Sequence, residues 1–146
     1  MRIKHISEGC TGCMACVIAC KEQHFLTVGV NRCAIAYQEE NQRFVWQGCR
    51  QCKNALCEKA CDSQAIYTTA DGTVMIDRER CTGCGKCVKA CPFHAMTYAA
   101  KMHLAVKCDT CYANRMGDAT ATDDASNYQT TACVKACPFD RLELVR

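Results

Sequence analysis

The chain has 146 residues, with 18 Lys and Arg against 15 Asp and Glu, and a formal charge of +3. That length holds one domain or two very small ones and leaves no room for a large catalytic chamber. Cysteine is about 12% of the chain, and setting the 17 cysteines aside lowers the apolar fraction from 49% to roughly 38%, thin for a self-sufficient core.

In chain order, residues 2–6 read as a short strand. The first residues are basic but carry no apolar stretch behind them, so no secretory signal is expected and the reading is a cytoplasmic chain. A first cysteine group follows, Cys10, Cys13, Cys16 and Cys20, with a helix predicted over 14–22. Strands over 34–38 and 43–46 lead to the second group, Cys49, Cys52, Cys57 and Cys61. Strands over 66–69 and 74–76 precede the third, Cys81, Cys84, Cys87 and Cys91, with a helix over 85–91. A strand over 96–99 comes before the fourth group, Cys108, Cys111, Cys133 and Cys137. Inside that group the polar stretch 117–129 reads as an exposed loop, and a strand over 142–145 closes the chain. No apolar run approaches the roughly 18 to 20 residues of a membrane span.

Every group closes with the same Cys-x-x-x-Cys step, an internal repeat in which each such step should start a short helix. Groups two and three are 19 residues apart, whereas 87 residues separate group one from group four. The expected fold is therefore α+β, two ferredoxin-like halves related by pseudo-symmetry. One half is continuous over 43–98; the other is assembled from 1–42 and 99–146.

Seventeen is an odd number and no export signal is expected, which favours metal over a disulfide framework. Three thiolates within one Cys-x-x-Cys-x-x-Cys loop, plus a fourth four positions on, suit the corners of a [4Fe-4S] cubane. In the bacterial two-cluster pattern the fourth cysteine ligates the other cluster and is followed by proline. The chain has two prolines, Pro92 and Pro138, and both sit in Cys-Pro-Phe. Gly12 and Gly83, each in Cys-Thr-Gly-Cys, let the loop curl through backbone angles closed to other residues. Zinc sites with four cysteines are built from two pairs and need neither the triplet nor the proline. With four clusters bound the net charge becomes about −5, which removes the case for a nucleic-acid partner. Radical chemistry would need a barrel that the chain is too short to supply.

Taken together, the four groups resemble the iron-sulfur subunit of the dimethyl sulfoxide reductase superfamily, with relatives in nitrate reductases and formate dehydrogenases. The resemblance rests on Cys49-Arg-Gln-Cys52-Lys-Asn-Ala-Leu-Cys57-Glu-Lys-Ala-Cys61, on Lys107-Cys108-Asp-Thr-Cys111-Tyr112, and on Ala132-Cys133-Val-Lys-Ala-Cys137-Pro138. It implies four [4Fe-4S] clusters with cysteines exchanged between groups. One would be held by Cys10, Cys13, Cys16 and Cys137, and a second by Cys108, Cys111, Cys133 and Cys20. A third would be held by Cys49, Cys52, Cys57 and Cys91, and a fourth by Cys81, Cys84, Cys87 and Cys61. Three departures stand out: Asp62 replaces the proline usual after Cys61, the gap from Cys111 to Cys133 is long, and the inserts and membrane tail of larger members are missing.

The implied function is a non-catalytic relay of single electrons. Its partners would be a large catalytic subunit, either a tungsten or molybdenum pterin enzyme or a hydrogenase, and a second redox partner. End-to-end stacking of copies into a wire is a further expectation, and a freely diffusing polyferredoxin is the alternative. Cys33 lies outside every group and reads as a small buried hydrophobe. His5, His24, His94 and His103 share no ligand spacing, and Lys86, Lys89 and Lys135 read as solvated. Phe93, Phe139 and Trp46 sit beside ligand cysteines and read as packing that excludes water.

Overall fold

The computed structural model describes residues 1–116 and 131–146, so the loop expected over 117–129 lies outside the described residues. The described strands pair into four antiparallel two-stranded sheets. Strand β1 (Arg2–His5) pairs with β8 (Leu142–Val145), bringing the two ends of the sequence together. β2 (Cys33–Gln38) and β3 (Arg43–Gly48) form a hairpin, as do β4 (Ile66–Thr68) with β5 (Val74–Ile76), and β6 (Met96–Ala99) with β7 (Leu104–Lys107).

Each hairpin has a local cause. In β2–β3 the facing Tyr37 and Phe44 rings stand 5.1 Å apart beside the turn, a cross-strand aromatic contact. Between β4 and β5, Thr69 Oγ1 donates to Asp71 Oδ1 at 2.6 Å, and the Thr73 N–H donates to the same oxygen at 3.0 Å, closing the turn. The sheets coincide with the predicted strands to within a residue or two, with one exception. β7 was not expected, because its four residues run straight into Cys108 with no turn signal between.

The helices α1 (Ala15–Gln23), α2 (Leu56–Lys59), α3 (Lys86–Ala90) and α5 (Ala132–Lys135) each begin one residue before the third cysteine of a group. α4 (Tyr112–Met116) follows Cys111. Apart from α1, none exceeds five residues, too short to persist alone in water, so they depend on what they pack against.

Much of that packing is cysteine. The largest buried cluster contains Cys16, Cys20, Cys33, Cys49, Cys108 and Cys133 with Ile3, Val17, Trp46 and Leu142. A second gathers Ala55, Ile66, Val74, Cys87, Met96 and Ala105, with Cys57, Cys61 and Cys91 at its margin. Where an ordinary small domain would place leucine and isoleucine, this one places thiols.

Candidate functional site

The Cys-Thr-Gly-Cys loops show how the backbone aims the thiols. Gly12 and Gly83 have φ of +69° and +70°, and two residues later Met14 and Gly85 have φ of 65° and 72°. These left-handed residues curl the loop so that successive cysteines face one interior, after which α1 or α3 carries the third.

Three cavities result, each lined by four cysteines. Cys10, Cys13, Cys16 and Cys137 line the first, with Phe139 beside them. Cys61, Cys81, Cys84 and Cys87 line the second. Cys49, Cys52, Cys57 and Cys91 line the third, with Pro92 and Phe93. In each, three cysteines come from one group and the fourth from another. Phe139 and Phe93 are 44% and 42% exposed, so they shield one side of their cavities, while Trp46 is buried within the main core cluster.

Cys20, Cys108, Cys111 and Cys133 form the remaining set, and all four are buried. Their thiols lie within electrostatic reach of one another, Cys111 of Cys20 and Cys133 of both, while Cys108 feels Cys133. Cys33 lies in the same cluster of buried residues, and its sulfur hydrogen-bonds with that of Cys20. That bond and burial push the Cys33 thiol far up, so it stays protonated and donates. Polar groups surround the set. His24 Nε2 is 3.5 Å from Cys111 Sγ and 3.7 Å from Asp109, which also takes an ion pair from the largely buried Arg32 at 2.5 Å.

Several sulfurs accept hydrogen bonds. The Ala65 N–H donates to Cys61 Sγ at 3.3 Å, Arg141 N–H to Cys137 Sγ at 3.2 Å, and Thr110 N–H to Cys108 Sγ at 3.4 Å. Such donors favour a thiolate. At Cys61, burial pushes the pKa up, but bonds from Ser63, Ala65 and Ile66 outweigh it and leave the thiol more acidic than usual. Burial pushes Cys16 and Cys87 up to about 11 and Cys133 to about 12. A free thiol is thus the preferred form at these three, and a cation must be supplied to hold thiolates there.

Four thiols ringing a cavity suit a group that bonds each sulfur to a different metal atom. Among the described residues no three His, Cys, Asp or Glu side chains converge as a single ion requires.

Comparison with known proteins agrees with this chemistry. Residues 40–145 match the family described as a 4Fe-4S dicluster domain, and residues 7–23 match a 4Fe-4S binding domain. The chain is 33% identical over 150 residues to the thiosulfate reductase electron transfer subunit of Salmonella typhi, covering 97% of this chain and 73% of the relative. It belongs to the iron-sulfur electron-transfer subunits of this reductase family. It is also 33% identical to the B subunit of the anaerobic dimethyl sulfoxide reductase of Haemophilus influenzae, across 94% of this chain and 69% of that one. With the formate dehydrogenase iron-sulfur subunit of Wolinella succinogenes it shares 41% identity over 90 residues, 59% of this chain and 45% of the other. The iron-sulfur subunit is accordingly a non-catalytic member of an oxidoreductase, with [4Fe-4S] clusters as its cofactor. Among its described residues no helix is long and apolar enough to cross a membrane.

Reading the sequence missed four side chains near these sets: Gln51, Lys107, Asp109 and Arg32. Each is an ordinary polar residue near a cysteine, and only folding buries it. The one signal available was position, since Gln51 lies between Cys49 and Cys52, and Lys107 and Asp109 flank Cys108.

Proposed function

We propose that the subunit holds four [4Fe-4S] clusters in a row and relays single electrons along it between a catalytic oxidoreductase subunit and a second redox partner. The ligand sets would be Cys10, Cys13, Cys16, Cys137; then Cys20, Cys108, Cys111, Cys133; then Cys49, Cys52, Cys57, Cys91; then Cys61, Cys81, Cys84, Cys87. The observation that carries this reading is the recruitment, in three separate cavities, of a fourth cysteine from another group.

The order follows from neighbours. Cys133 of the second set feels Cys16 of the first, and Cys87 of the fourth set feels Cys57 of the third. Lys107 lies within electrostatic reach of both Cys108 and Cys57, which joins the second set to the third. Of the seventeen cysteines, Cys13 and Cys84 are the exposed ones, and they fall in the first and last sets. A row with an accessible thiol at each end and, between them, one fully buried set and one with no exposed thiol is what a relay with two ports needs.

When bound, a [4Fe-4S] cluster supplies a one-electron couple whose potential depends on hydrogen bonds, burial and nearby charge. The chain's part is to hold the thiolates, donate N–H groups to them, and keep water from the inner sets. Two halves related by pseudo-symmetry are supported by the matching bonds from Ala65 to Cys61 and from Arg141 to Cys137, each four residues on. The β2–β3 and β6–β7 hairpins would then be the two connections between 43–98 and the remainder.

The catalytic partner we infer is a molybdenum or tungsten pterin enzyme or a hydrogenase, supported by the names of the relatives, which describe subunits of reductases and a dehydrogenase. Anaerobic purification under native conditions tests this. A complex with a large redox enzyme, reduced on adding that enzyme's substrate, supports the relay. A monomer that exchanges electrons only by collision favours a diffusing polyferredoxin, and filaments in electron microscopy would establish stacking.

A further inference from the structure

We propose that Lys107 is the shared counter-cation of the two inner cysteine sets, raising the reduction potentials of both and levelling the electron step between them. The proposal rests on the four-cluster reading above.

Lys107 ends β7 and is 3% exposed. Its ammonium donates to two backbone carbonyls, those of Val74 and Cys108, the latter at 3.0 Å. The ion pairs found among the described residues do not include it. A buried ammonium held only by neutral carbonyls is costly unless negative charge stands nearby. The charge available is thiolate: Lys107 acts on Cys108 of the second set and on Cys57 of the third.

Gln51 fixes the geometry. Its Nε2 donates to the Cys108 carbonyl at 2.8 Å, and its Oε1 accepts from the Val74 N–H at 2.9 Å. Gln51 and Lys107 therefore grip the same two residues, Val74 and Cys108, one from the Cys49–Cys52 loop and the other from β7. The cation cannot drift toward either set without breaking these bonds.

Reducing a cluster adds one negative charge, so a fixed cation at short range stabilises the reduced form and raises the potential. In the transfer between inner clusters, the donor loses one electron, the acceptor gains it, and no proton or bond moves. With Lys107 between them the negative charge passes from one side of the ammonium to the other. The attraction lost at the donor is regained at the acceptor, and neither cluster becomes a trap.

The test is an anaerobic redox titration followed by electron paramagnetic resonance on the four-cluster protein. Each potential is assigned through a cysteine-to-serine change in its own ligand set. Iron and sulfide analysis comes first, because a content short of four clusters overturns the four-cluster reading and not only the role of Lys107. Given four clusters, Lys107→Met should lower two potentials, those of the Cys20, Cys108, Cys111, Cys133 set and the Cys49, Cys52, Cys57, Cys91 set, and Lys107→Arg should restore them. Gln51→Glu, which keeps the lysine and sets a carboxylate beside it, should lower the same two. Unshifted potentials, or an equal shift of all four, would overturn the proposal. Loss of clusters in both Lys107→Met and Gln51→Glu would overturn it too, reassigning the pair to packing alone.

Discussion

The Arg141 backbone N–H donates to Cys137 Sγ at 3.2 Å, in the cavity that Cys137 shares with Cys10, Cys13 and Cys16. Arg141 also ties the C-terminal segment to the N-terminal one, its carbonyl accepting from the Ile6 N–H at 2.9 Å. β1 and β8 pair alongside, with Lys4 and Glu143 in an exposed ion pair at 3.3 Å.

Replacing Cys137 with Ser should therefore damage the cluster held with Cys10, Cys13 and Cys16 and spare that of its sequence neighbour Cys133. Electron paramagnetic resonance of the variant distinguishes the two. Loss confined to the Cys108, Cys111 and Cys133 set would overturn the exchanged pairing.

Anaerobically purified protein should contain about sixteen iron and about sixteen acid-labile sulfide per chain, as four complete cubanes require. Replacing Cys33 with Ala should leave that count unchanged, because the Cys33 thiol, pushed far up by its bond to Cys20 and by burial, stays protonated beside the second set. A drop of one cluster's worth of iron in Cys33→Ala would make Cys33 a ligand.

Chelating the iron should unfold the chain, since thiols occupy much of its buried volume and the short helices pack on them. Loss of dispersed amide signals on chelation is the readout. Any structure left at neutral pH should melt as pH rises from 9 through about 11. Cys16 and Cys87, raised from 9.0 to about 11 by burial, bind protons more tightly folded than unfolded, and alkali removes that preference.

Two glycines with the same backbone angle should differ in tolerance. A Cβ at Gly83 would strike the backbone carbonyl of His103, which cannot step aside, whereas at Gly12 it would meet the Phe44 ring at 2.6 Å, a side chain free to turn. Both alanine variants carry a strain of about 1 kcal/mol from the left-handed angle. Gly83→Ala should also lose the cluster of Cys61, Cys81, Cys84 and Cys87, while Gly12→Ala keeps all four. Iron content of the two variants checks this.

Arg115, at the end of α4, joins the β4–β5 turn through Asp71 at 2.9 Å and Thr73 at 3.1 Å, and its side chain is only 5% exposed. Arg115→Met should cost about 1–3 kcal/mol, the penalty of leaving buried partners unsatisfied. Thermal unfolding of the intact cluster protein measures it. Burial pushes the Asp71 carboxyl up, but its hydrogen bonds with Thr69, Arg115 and Thr73 outweigh that and hold it below the usual 3.8. This contribution is present above that value and fades as pH falls below it.

The cysteine spacing by itself determined the chemistry. Three thiols in one tight loop with a fourth a helical turn away are a local pattern, set by backbone geometry within a dozen residues and readable without a fold. The strands at 74–76, 96–99 and 142–145 were legible for the same reason, being short runs of alternating or β-branched character. What the spacing alone left undetermined is which residues share an interior; for the cysteines only the family resemblance implied it. Cys137 reaches the Cys10 loop because β8 pairs with β1, and Lys107 is buried because β7, invisible as four residues abutting a cysteine, carries it against Val74. The burial of Gln51, the bond between Cys33 and Cys20, and the exposure of Cys13 and Cys84 alone likewise depend on contacts between distant segments. Such contacts form only where the folded chain excludes water from both partners at once, and a linear pattern carries no record of that.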